Sequence, residues 1–374
     1  DARLQMAALF QQTPDPTPAQ LAFFIREMLT HGSPGEEIQP YLEKLVARLG
    51  DDSPAVLELK TRLAVQSGNT KEIESRWRDM VSKAIDERKY DQAMQFAELA
   101  EKAGMTSLAG EVLEQVTSHY PVALMAKALF LSRQQKLEAA LDCCEQALAH
   151  VPVERVVVCA VNCLRAAREQ VKPDHLARVD AWFQRANVNS AGDKGVILAY
   201  TSFLNLAGRY EELVPLYRRL LSDSRLSDLE KALLENNLAY VLGAQCDLPS
   251  REGSAQSENA AILREAEQLV EHAITVLGPI GSFLDTRAVV RMRQERLAEA
   301  ISDARQAVLE EPSALTYFHL VEALWLAGDK ATAVREFQRA RDNYRLSEEA
   351  LPPIERPRLR RLTAELKNLG LSLN

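Results

Sequence analysis

Cysteine is the residue type in this sequence with the most chemistry to explain. There are five. Cys143 and Cys144 are adjacent, and Cys159 and Cys163 are four apart, a spacing that puts both on one helix face. Cys144 falls at a packing position of one expected helix and Cys163 on the next, which brings two or three thiols close. A zinc or redox site would need them to converge with two further ligands, and neither a Cys-x-x-Cys spacing nor a nearby histidine supplies these. The expectation is cysteine used as a small core residue. A helical metalloprotein built on the cluster is kept as an alternative.

Other chemical patterns are missing. The six histidines include no His-Glu-x-x-His helix, and no Gly-rich phosphate loop or Gly-x-Ser-x-Gly elbow is present. Gly278 and Gly281 bracket a turn between helices. Carboxylates are plentiful but fall mostly on polar helix faces. The reading is a chain that is not an enzyme, with no catalytic residue, cofactor or metal assigned.

The elements that position these side chains are helices in a repeating pattern. Gly281, Leu284 and Ala288 lead to Leu297, Ala300, Ala304, Ala307 and Pro312, and the pattern starts again with Tyr317, Leu320 and Leu324, then Gly328, Ala333, Phe337 and Ala340. Ala300 to Ala333, Ala304 to Phe337 and Ala307 to Ala340 are each 33 apart by subtraction. A period near ~34 residues holding two helical patterns signals a helical hairpin repeat. Small residues recur where two helices must approach closely, and Leu284, Leu324 and Phe337 fill the remaining space. Gly328 sits at the turn, where positive φ suits glycine. Pro312 follows the second helix of its unit.

On these residues the chain resembles the tetratricopeptide repeat family, in a bacterial-type multi-repeat form. The resemblance implies an all-α, right-handed superhelical α-solenoid of about nine hairpins with a C-terminal capping helix. It covers most of the chain, strongly from Pro121 onward.

Composition agrees with a soluble globular chain, at 47% hydrophobic and 26% charged residues over 374 positions. Net charge is −8, which disfavours nucleic acid as a partner; the local cluster Arg356, Arg358, Arg360 and Arg361 reads as a solvated helix end. No apolar run reaches the ~20 residues of a membrane helix, so no direct membrane insertion is expected. Free cysteines and acidic charge favour the cytoplasm. A start at Asp1 without methionine reads as trimmed, which leaves room for a removed signal, anchor or further domain.

In order, residues 1–52 read as a divergent N-terminal hairpin. It has a short amphipathic start over Asp1–Phe10, a helix capped by Thr17 with Pro18 at its first position, and Leu21, Phe24, Ile25 and Met28 on the apolar face. Residues 53–350 read as the solenoid, opened by Ser53 and Pro54. Between 71 and 103 the register is open: Ile73, Trp77 and Met80 look like a second helix, and Tyr90, Ala93, Ala97 and Ala100 look like another. Leu124, Ala128, Ala140, Cys144 and Ala147 restore the pattern, and Gly208 to Tyr210 is a strong turn match. Residues 244–257 read as an inserted loop inside one hairpin. Residues 351–374 read as a cap, with Leu359, Leu362 and Leu366 facing inward.

Members of this family usually hold ligands in the groove lined by the first helix of each hairpin. Carried over position by position, the resemblance implies groove residues Asn236 and Tyr240, then Asp285, Val289 and Met292, then Phe318, Glu322 and Trp325. Exposed aromatics beside carboxamide and charged groups suit peptide capture. Equally, Phe318 and Trp325 have the character of packing residues against a neighbouring repeat or the cap. A carboxylate clamp needs converging cations, and Asp285, Val289, Phe318 and Glu322 do not provide them. The function expected is a non-enzymatic scaffold or adaptor binding a peptide or partner domain, with a ligand-responsive sensor module as the alternative.

Overall fold

Helix ends follow local chemistry. Thr17 and Gln20 form a reciprocal capping box at the first helix, Ser227 and Glu230 form another, and Ser313 and Thr316 a third; each satisfies amide donors that a helix start leaves free. Gly208 and Gly328 close hairpin turns at φ +72° and +86°, in the left-handed region that glycine enters without steric cost.

The computed structural model describes residues 15–51, 53–186, 193–246 and 255–368. Among them are nineteen α-helices and no strand. Sixteen of them form eight hairpins, four in each unit described below, and three stand outside a hairpin. The molecule is an all-α helical repeat solenoid, and its contacts divide it into two units, Asp1–Ala166 and Ala167–Asn374.

The first unit holds four hairpins: α1 (Pro18–Thr30) with α2 (Gly35–Leu49), α3 (Pro54–Ser67) with α4 (Lys71–Asp86), α5 (Tyr90–Lys102) with α6 (Thr106–His119), and α7 (Leu124–Arg133) with α8 (Leu137–Ala147). A last helix, α9 (Val153–Ala166), packs on α7 and α8. The open register is resolved here. The helix holding Ile73 and Trp77 is one regular second helix of 16 residues, and the one holding Tyr90 to Ala100 is the first helix of the next hairpin. Trp77 is buried, and its indole N–H donates to Thr61 Oγ1 at 2.8 Å.

The second unit runs α10 (Pro173–Ala186), then hairpins α11 (Lys194–Ala207) with α12 (Tyr210–Leu221), α13 (Asp228–Gln245) with α14 (Ala255–Leu277), α15 (Gly281–Arg293) with α16 (Leu297–Glu310), and α17 (Ala314–Leu326) with α18 (Lys330–Tyr344). Helix α19 (Arg356–Asn368) follows. The repeated alanines lie where the pattern places them: Ala288, Ala300, Ala304, Ala307, Ala333 and Ala340 are all 0% exposed. Of the proposed loop over 244–257, helix α13 reaches Gln245 and helix α14 starts at Ala255; residues 247–254 lie outside the described residues, as does the amphipathic start over Asp1–Phe10.

Candidate functional site

In the second unit the first helices of successive hairpins pack side by side, α13 on α15 and α15 on α17. Leucine and valine hold these helices together, yet the faces they turn inward carry a buried polar cluster. His319 on α17 is fully buried, and its Nδ1–H donates to both carboxylate oxygens of Asp285 on α15, at 2.8 and 2.9 Å. Its Nε2 lies 3.4 Å from Glu355 Oε1. The Tyr240 hydroxyl, on α13, donates to the same Glu355 oxygen at 2.8 Å. Arg358 pairs with the other Glu355 oxygen. Arg293 donates to both oxygens of Glu322 at 3.0 and 3.1 Å.

Burial alone would push the His319 imidazole below its ordinary value, but the carboxylates of Asp285 and Glu355 outweigh burial and raise it to about 10. The histidine is therefore a cation held between two acids. Burial drives the Tyr240 phenol well above 10, with the Glu355 charge acting in the same direction. Burial also raises Glu322, against the opposing charge of Arg293.

Glu355 is not part of a repeat. It belongs to a segment after α18 that turns back over the first helices of the hairpins. Leu351 is fully buried. Pro353 packs on the Gly208 turn, where a Cβ would stand 3.4 Å from the proline ring. The Ile354 N–H donates to the Tyr210 hydroxyl at 3.1 Å, and that hydroxyl donates to the Asn205 carbonyl at 3.4 Å. Burial pushes the Tyr210 phenol up to about 12. One short segment thus touches the Gly208–Tyr210 turn, α13 and α17.

The expected groove residues fall into four groups. Asn236, Tyr240 and Asp285 come together on the wall of one concavity of 340 Å³, beside Asn237, Thr286 and Ser313. Asn236 is 8% exposed, and its side-chain oxygen has no hydrogen-bond partner. Glu322 is committed to Arg293. Val289, Met292 and Phe318 are each 0% exposed and pack into apolar clusters, Val289 and Met292 with Ala244, Ala300 and Ala323, and Phe318 with Tyr317, Leu320 and Leu324. Groove exposure was expected for Val289 and Met292, while Phe318 was read equally as a groove or a packing residue; the close packing of α13, α15 and α17 leaves all three side chains no open surface. Trp325 turns toward the end of the chain: its indole N–H donates to Glu365 on α19 at 2.5 Å, and the Lys330 ammonium sits 3.5 Å from its ring centre.

Sequence reasoning passed over His319, Arg293 and Glu355, and read Tyr210 only as part of a turn. The pair Pro352–Pro353 signals an extended stretch, but no local signal says where such a stretch will lie.

In the first unit the sulfurs of Cys144, Cys159 and Cys163 lie within 4.8 Å of one another. Cys144 and Cys159 are 4.0 Å apart, and the Cys159 sulfur reaches the Met125 carbonyl at 3.5 Å. All three are buried. Hydrogen bonds from Cys144 and then Cys159, helped by Ser132 and the Arg133 charge, draw the Cys163 thiol down against burial. Hydrogen bonds with Cys159 and Cys163, then burial, drive Cys144 up.

No protein-family model matches this chain, and no curated protein does. Solved structures do. A monomeric mutant of IFIT1 with Gppp-AAAA aligns at a TM-score of 0.50 and 13% identity, over 99% of this chain and 87% of that one. A human IFIT1 dimer with PPP-AAAA gives 0.48 and 14%, over 99% and 87%. A tetratricopeptide repeat protein from Parabacteroides merdae gives 0.47 and 14%, over 72% and 98%. The fold is of the tetratricopeptide type. The first helices α13, α15 and α17 carry the buried charges, the concavity and the contacts of the returning segment. Among the described residues no helix is long and apolar enough to cross a membrane.

Proposed function

We propose that this chain is a non-enzymatic protein-interaction scaffold that holds an extended peptide or the edge of a partner domain against α13 and α15. The observation that carries this reading is the unpartnered Asn236 oxygen in the wall of the 340 Å³ concavity. A buried acceptor without a donor costs about 1–3 kcal/mol; the oxygen itself is closed off from solvent, so a bound peptide's backbone N–H would satisfy it after a small rotation of the Asn236 side chain into the concavity. Tyr240 and Asp285, fixed by Glu355 and His319, give that acceptor rigid neighbours, which lowers the entropy lost on binding.

The partner class proposed is protein rather than nucleic acid. Net charge is −8, and two arginines of the basic cluster are paired within the chain, Arg358 with Glu355 and Arg360 with Glu348. A repeat fold by itself says nothing about the ligand, so the argument rests on the site.

The test is a peptide-display selection on the full chain, followed by fluorescence anisotropy of the selected sequences on the parent and on Asn236→Leu, both checked by circular dichroism. Loss of one acceptor hydrogen bond should weaken binding about tenfold, corresponding to about 1.4 kcal/mol. Equal affinity for the two folded proteins, or selection of nothing from the library while single-stranded RNA binds, would sink the reading.

A further inference from the structure

The three converging thiols of the first unit have no part in peptide binding. We propose that Cys144, Cys159 and Cys163 form a three-coordinate thiolate site for a soft monovalent metal ion, Cu(I).

Distance is the first argument. An ion at the centre of a sulfur triangle, bonded at about 2.3 Å, holds its sulfurs about 4.0 Å apart. Cys144 and Cys159 already stand 4.0 Å apart, and all three sulfurs lie within 4.8 Å of one another. Modest side-chain rotation closes the triangle without moving a helix.

Coordination number is the second. Structural zinc takes four ligands in a tetrahedron, and among the described residues no histidine or carboxylate joins the trio. Thiolate-only donor sets are soft and select Cu(I) over magnesium, calcium or manganese. A three-sulfur shell is complete for Cu(I) and incomplete for zinc.

Placement is the third. Helix α8 supplies Cys144, and α9 supplies Cys159 and Cys163 one turn apart. The two helices pack directly on each other, so the donors sit on rigid elements rather than on a loop. Three thiolates around Cu(I) leave a double negative charge in an apolar core. The nearest cation, Arg133, is already paired with Glu101, so burial of the site keeps that charge within the core. The thiol protons leave to solvent on binding, copper stays Cu(I), and no electron is transferred. Cysteines that serve only as core filler need no convergence; Ala128 and Ala160, both 0% exposed, fill the same core without it.

The experiment is an anaerobic titration of the full chain with Cu(I) against a colorimetric chelator, with X-ray absorption on the loaded protein. One Cu(I) per chain with three sulfur neighbours is expected. Cys144→Ser, Cys159→Ser and Cys163→Ser should each lose at least tenfold in affinity, whereas Cys143→Ser and Cys246→Ser should bind as the parent does. A two-sulfur spectrum, uptake well below one equivalent, or an equal loss in Cys143→Ser overturns the assignment. The absorption spectrum of the parent protein decides the matter by itself where a serine variant does not fold.

Discussion

His319 is the residue on which most of the inner face depends. It is a buried cation between Asp285 and Glu355, and removing one member of such a group leaves the others uncompensated. His319→Gln should therefore cost about 3–5 kcal/mol near pH 6, read from urea denaturation. The pH dependence has a definite sign. The folded value, about 10, lies above the ordinary 6.5, so the folded state binds the proton more tightly. The stabilisation is complete below 6.5 and is lost as pH climbs through 10. Tyr240, which faces the same group from α13, is held well above its ordinary 10 and stays neutral across that window. The gap in stability between parent and His319→Gln should narrow steadily from pH 6.5 to 10; a constant gap would mean that the histidine is not charged in the fold.

At the scale of the element, the hairpins depend on side chains small enough to let helices meet. Ala304 on α16 is 0% exposed and lies in the cluster that also holds Ala288, Tyr317 and Phe318. Ala304→Leu adds volume to a packed interior and should cost about 1–3 kcal/mol, whereas leucine at the exposed Ser302 on the same helix should be nearly neutral. Chemical denaturation of the two variants checks this. These alanines are also why the hairpins were legible. Their period of 33 is a one-dimensional signal, and each repeat buries its own helix pair against its neighbours. Tyr317, Phe337 and Ala340 needed nothing beyond that period. The candidate site was legible only in part. Asn236, Tyr240 and Asp285 share a wall because first helices line up, which the register implies. Val289, Met292 and Phe318 sit on those same helices, but only the angle at which α13, α15 and α17 pack decides between surface and core, and no spacing encodes that angle. The open register at residues 71–103 had a similar cause: Ala93, Ala97 and Ala100 suit either helix of a hairpin, and the turns on both sides had to be placed before the choice was made.

At the scale of the whole molecule, most contacts join neighbours in sequence, as in any solenoid. Among the described residues, the segment ending at Glu355 departs from this. Its bond from Ile354 to Tyr210 spans 144 residues, and its bond to Tyr240 spans 115. Tyr210→Phe keeps the ring and removes the hydroxyl that the Ile354 amide uses. The expected loss is about 1 kcal/mol, with faster hydrogen exchange at Ile354 and little change in the α17–α18 hairpin; unchanged exchange at Ile354 would mean that the bond holds nothing in place. The same geometry sets an order of assembly. Hairpins close through local contacts and fold quickly, whereas joining points more than a hundred residues apart is slow, because the intervening chain must first give up its freedom. During synthesis, α13 and α15 leave the ribosome well before Glu355 is made. Until then Tyr240 has no acceptor and His319 has only Asp285. The returning segment is thus a late latch: a nascent chain stopped short of it exposes its inner face to solvent and to any chaperone, and that face reaches its final form only when this segment arrives.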